Sequence, residues 1–192
     1  SYVIPAHTVG NRAYEAVWRP ISYNVAFDTE NPEEVSYMPE GFTVYYDDWA
    51  QLSANNPQRD GYYFGGWTPD LSSEIAYASG VKVRNLTDVD GATVLLHARW
   101  TLATYAANFN FRDPSTVSAY DYQGSTYAYM VDDQGNDWPN PMYFTIHSDD
   151  KPFPDAARFG YTFLGWTGGQ YSGPTFNAQV DAGSFGDRTY YS

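Results

Sequence analysis

The chain contains no cysteine, which excludes disulfides and thiolate metal sites. It has only two lysines, Lys82 and Lys151, and a formal net charge of −13. No basic patch is available to meet phosphate, so nucleic acid and anionic membrane surfaces are not expected partners. No apolar run approaches membrane-spanning length, and membrane insertion is not expected. No signal-peptide pattern opens the chain, as expected of a mature chain or an excised segment. The Gly-x-Ser-x-Gly elbow, the phosphate loop and the His-Glu-x-x-His pair are all missing. The three histidines, His7, His97 and His147, lie far apart without ligand spacing. His97 alternates with the apolar face of its segment and is expected at the surface. No catalytic residue, cofactor or metal ligand is expected, and the chain is not read as an enzyme.

What the chain has is aromatic residues: 19 tyrosines, 11 phenylalanines and 6 tryptophans among 192 residues. Aromatics favour strands and bury much area each, so they can anchor a small core. They are organised around Gly61-Tyr62-Tyr63-Phe64-Gly65-Gly66-Trp67-Thr68. The octet returns as Gly160-Tyr161-Thr162-Phe163-Leu164-Gly165-Trp166-Thr167, 99 positions later. A motif recurring at that distance means two copies of one module. Strand periodicity puts Tyr62, Phe64 and Gly66 on one face and Tyr63, Gly65 and Trp67 on the other. The glycines before Trp67 and Trp166 predict a bulge or a close backbone approach. Burial is expected for Tyr62, Phe64, Trp67, Trp100, Tyr161, Phe163 and Trp166. Tyr63 or Trp67 could alternatively form an aromatic shelf for a sugar ring.

A second offset, of 82, places Tyr14, Ala16 and Trp18 on Leu96, Ala98 and Trp100. The pattern apolar-x-Ala-x-Trp alternates with period two and reads as a strand that closes a module. The same offset places Tyr23 and Phe27 on Tyr105 and Phe109, an opening strand. The chain therefore divides into residues 1–20, the terminal strand of a preceding repeat; 21–101, a full repeat; and 102–192, a second repeat. The second repeat has a long insertion, and its closing strand stops before the expected tryptophan. Turn residues after each opening strand include Asp113-Pro114-Ser115. Residues 47–52 predict a short helix, with Asp47 or Asp48 as its N-cap. From Phe109 to Gly160 the chain is 17 residues longer than from Phe27 to Gly61. Residues 128–150 are expected to be exposed loop, the place where specific binding usually lives. Asp88-Val89-Asp90-Gly91 and the stretch 132–137 echo calcium loops without completing the pattern, and they read as turns.

The run Pro57-Gln58-Arg59-Asp60-Gly61-Tyr62-Tyr63-Phe64-Gly65-Gly66-Trp67, followed by a strand ending Ala98-Arg99-Trp100, resembles the Listeria–Bacteroides repeat, the internalin B-type B-repeat of bacterial surface proteins. The second copy keeps Arg158, Gly160, Tyr161, Phe163, Gly165 and Trp166, with Pro154 displaced by two residues. The resemblance implies a strand-dominated α+β fold of tandem ubiquitin-like β-grasp repeats, with one short helix in each. It also implies an extracellular setting, at the cell surface or secreted. One departure is Asp28-Thr29-Glu30-Asn31-Pro32, where the family usually has an Asn-Gly-Gly turn.

Two functions follow. The first is a non-catalytic stalk, spacer or fibre-forming segment with an adhesive role, partnered by neighbouring repeats or by copies of itself head to tail. The second is a module that binds glycan or host protein through the exposed aromatics Trp138, Tyr127 and Tyr129.

Overall fold

A computed structural model describes residues 3–70, 74–111 and 128–192. Tyr127 and the turn at 113–115 lie outside them. The described residues are strands and loops, and their only helical element is the 3-10 turn Pro32–Glu34. Two separate cores form, one in each half of the chain.

The first half builds a mixed sheet from β1 (Ser22–Asp28), β2 (Phe42–Tyr45), β3 (Tyr62–Thr68) and β4 (Thr93–Leu102). Its order is β2-β1-β4-β3. β1 is antiparallel to β2 and parallel to β4, with Phe27 opposite Leu96. The second half repeats the plan with β5 (Tyr105–Asn110), β6 (Met142–Phe144), β7 (Trp166–Gly168), β8 (Tyr171–Thr175) and β9 (Arg188–Tyr191). Its order is β6-β5-β9-β7-β8, with β5 parallel to β9 and Phe109 opposite Tyr190. In each half the opening and closing strands therefore lie side by side inside the sheet, between its other strands.

Alternation explains which side chains go inward. In β1, Tyr23 and Val25 are buried and meet Val44, Leu96 and Trp67. Trp67 is sealed by Phe27 at 4.7 Å and Phe64 at 5.0 Å, ring centre to ring centre. Its counterpart Trp166 meets Phe109, Phe153 and Phe163 at 5.6, 5.9 and 5.5 Å. Its indole N–H donates to the Pro154 carbonyl at 3.1 Å, so the buried donor is satisfied. Tilted ring pairs of this kind each add about 0.5–1.5 kcal/mol beyond the buried area.

The helix expected over residues 47–52 does not form. Asp47 turns the chain at φ +70° and exchanges hydrogen bonds with the Asn85 side chain. Ala50–Gln51 then pair antiparallel with Lys82–Val83. Six residues cannot sustain a helix nucleus on their own, and a neighbouring strand offers the same backbone groups better partners. Trp49 is 61% exposed, under the Arg84 guanidinium. Residues 10–18, expected as a strand, are exposed and unpaired with any strand of this chain. Residues 128–150 are not all surface loop either. Met142–Phe144 is the second strand of its sheet, and Met130 is buried in the second core.

Candidate functional site

The octet strand carries tightly constrained backbone. Between Phe64 and Gly66 the register of β3 against β4 shifts, so one extra residue is accommodated. The bulge moves Trp67 onto the inner face with Phe64, correcting the simple alternation. Gly66 has φ +141°, and a Cβ there would stand 2.8 Å from the Tyr77 carbonyl oxygen. Gly165 repeats the device with φ +119° and would meet the Thr175 backbone nitrogen at 2.5 Å. The glycines before each tryptophan are thus required twice, by conformation and by space.

Burial is achieved unequally. Trp67 and Trp166 are sealed, which removes Trp67 as a sugar shelf, and Tyr63 is exposed. Tyr62, Phe64, Trp100 and Phe163 are half-buried, and Tyr161 is 66% exposed against expectation. The difference between Tyr62 and Tyr161 arises at the junction of the two halves. Ile146 and His147, just after β6, close over Gly61 and Tyr62. The Tyr62 hydroxyl lies 2.6 Å from His147 Nε2, and a Cβ on Gly61 would stand 2.7 Å from the Ile146 side chain. Arg59 covers the Tyr62 ring at 4.2 Å and holds Glu34 at 2.7 Å. The Gly61 carbonyl accepts the Ala103 N–H at 2.9 Å, on the link between β4 and β5.

The three aromatics proposed for ligand binding do not form one surface. Trp138 is half-buried and packs on the second core. Tyr129 is half-buried, bridging to Ala157 with its ring beside Phe159. Tyr127 lies outside the described residues. Sequence reading also missed Asn140, whose side-chain amide bonds both backbone groups of Phe109, at 3.0 and 2.8 Å. Only the adjoining strand β6 could have signalled that role.

The acidic stretches are turns. Asp132 accepts from the Asn136 side chain and from the backbone of Asn136 and Gln134, and these bonds lower its carboxyl pKa. Asp90 accepts the Ser22 N–H and the Arg19 guanidinium, and is lowered likewise. His97 is not a free surface residue: Nδ1 lies 3.0 Å from the Asp28 carboxylate, in a half-buried position. The Glu30 N–H first, and His97 after it, lower the pKa of Asp28. Among the described residues no three His, Asp or Glu side chains converge as a metal site, and no helix could cross a membrane.

No curated protein and no solved structure matches the chain. Residues 23–89 match the family model of the Listeria-Bacteroides repeat domain, a span running from β1 through the octet strand to the turn before β4. That family is associated with bacterial surface proteins, and residues 23–89, within the first module, are similar to its repeat.

Proposed function

We propose that the chain is a non-catalytic segment of an extracellular bacterial surface protein, in which tandem β-grasp-type modules act as a stalk or spacer. The observation that carries this is the shared strand order. In both halves the second, first, last and third strands lie side by side in that sequence, with first and last parallel. That is a β-grasp path in which extended chain replaces the helix. The second half is read as another repeat of the same kind. The packed junction at Gly61 and Tyr62 keeps the modules from swinging freely, as a spacer requires.

Small-angle scattering of the monomeric chain tests the reading. The expected radius of gyration lies well above the roughly 16 Å of a compact domain of this length. A value at that figure would remove the spacer. Retention of a particular sugar on a glycan array, lost in Trp138→Ala, would put the binding-module reading in its place.

A further inference from the structure

Beside the junction of the two modules, an open groove of about 390 Å³ is lined by aromatic rings from both. Tyr63 comes from β3 of the first module. Tyr105 comes from β5 of the second, and Phe185 from the loop before β9. The backbone around these rings is fixed within the fold. Tyr63 stands opposite Thr101 in the β3–β4 ladder, and the Ala103 N–H donates to the Gly61 carbonyl at 2.9 Å. The Tyr105 ring rests on Phe144, 5.8 Å between centres. Tyr63 is nevertheless 59% exposed and Phe185 47%, and Tyr105 is half-buried.

The polar edge of the groove is acidic. Asp60 lines it and is exposed, and among the described residues no donor engages its carboxylate. Asp187 accepts the N–H of Ala106, the residue after Tyr105, at 2.8 Å. The Tyr105 phenol feels both: burial first, then Tyr63, Asp60 and Asp187, raise its pKa above the usual 10. Surroundings that resist a further negative charge favour a positive one. Arg59 also borders the groove, but Glu34 holds its guanidinium at 2.7 Å, and neither lysine lines it. The neighbouring residue in the strand shows what such a set accepts. Tyr62 is covered by Arg59 at 4.2 Å, and the same guanidinium donates to the Glu34 carboxylate at 2.7 and 3.1 Å. Arg84 likewise covers the exposed Trp49 at 4.9 Å. Among the described residues, no arginine or lysine covers Tyr63, Tyr105 or Phe185.

We propose that this groove binds an arginine side chain of a basic partner segment, with the guanidinium lying on Tyr63 and forked onto the Asp60 carboxylate. A guanidinium suits the place because it is planar and weakly hydrated, stacks on a ring face and meets a carboxylate with two parallel bonds. Tyr105 and Phe185 line the rest of the groove and cover the aliphatic stem. A neutral sugar ring could stack there too, but it would make no use of the two carboxylates' charge. The net charge of −13 draws a basic segment toward the chain before any contact forms. Because the rings come from both modules, the site exists only while the junction is packed. This goes beyond the spacer reading, for it gives the junction a partner of its own.

The test is an NMR titration of the full chain with a blocked peptide, acetyl-Gly-Ser-Arg-Ser-Gly-amide, at low salt. The expected result is saturable shifts of the Tyr63, Tyr105 and Phe185 ring resonances. The same peptide with citrulline for arginine keeps the shape without the charge, and it should bind about tenfold more weakly. Tyr63→Ala and Asp60→Asn should each weaken the arginine peptide about fivefold, with circular dichroism showing both variants still folded. Asp133→Asn removes an exposed acid outside the groove and should leave the affinity unchanged. Absence of saturable shifts in these rings overturns the inference, and so does equal binding of the citrulline peptide. An Asp133→Asn chain weakened as much as Asp60→Asn would reduce the effect to net charge and overturn it as well. Ring shifts with maltotriose and none with the peptide would put a sugar in the groove instead. A chain that is elongated in scattering yet ignores the peptide removes this inference alone and leaves the spacer reading standing.

Discussion

The phenol of Tyr62 and the imidazole of His147 meet at 2.6 Å, joining the octet strand of one module to the turn after the second strand of the next. The contact sits beside Gly61, where no side chain could be added without displacing Ile146.

This makes Gly61 and Gly160 a matched pair for experiment. Both have a left-handed φ, so alanine at either costs about 1 kcal/mol in backbone strain. At Gly61 the new methyl also pushes Ile146 away and separates Tyr62 from His147. The expected result in the monomer is that Gly61→Ala shifts the His147 ring resonances and loosens the two modules, whereas Gly160→Ala leaves both unchanged. Equal effects from the two substitutions would show that the modules do not pack through Ile146.

Alkaline stability should differ between the modules. Tyr190 is fully buried, and burial pushes its phenol up to about 12 from the usual 10. A raised folded value favours the neutral form. Its contribution is therefore complete below pH 10 and is lost as pH rises from 10 through about 12. The first module has Leu96, which does not ionise, at the equivalent place. The second module should lose roughly 2–3 kcal/mol across that window. Tyr190→Phe should flatten the loss, at a cost near neutral pH of about 1 kcal/mol for the bond to Gln170. Unfolding curves at pH 9 and pH 12 for the two proteins measure it, and an unchanged slope in the variant would count against the assignment.

The inserted segment is tied into the second module rather than hanging from it. Asn140 caps the Phe109 backbone with two hydrogen bonds, and Trp138 and Met130 contribute to the core. Asn140→Ala should destabilise the second module by about 1–3 kcal/mol in denaturant unfolding, because it strands two backbone groups. The tolerance to deletion that a plain surface loop would show is accordingly not expected for residues 132–141.

Much of the architecture is legible in the residues alone. The two offsets, 99 and 82, mark the strands that later stand at equivalent positions, and the glycines before Trp67 and Trp166 mark the bulge. These features are legible because alternation and positive φ are local demands on the chain, made wherever it is extended or kinked. Three things were decided only by tertiary structure. Residues 50–51 became strand because residues 82–83 lay close enough to pair with them. His97 was drawn from the surface to Asp28 because parallel pairing set β4 beside the end of β1. Gly10-Asn11-Arg12-Ala13-Tyr14 and Gly186-Asp187-Arg188-Thr189-Tyr190 share one pattern, yet the second runs into a central strand that buries Tyr190 and the first lies exposed. A strand's hydrogen bonds and its apolar face are completed by neighbours, and whether a neighbour stands there is a property of the folded assembly, not of the segment.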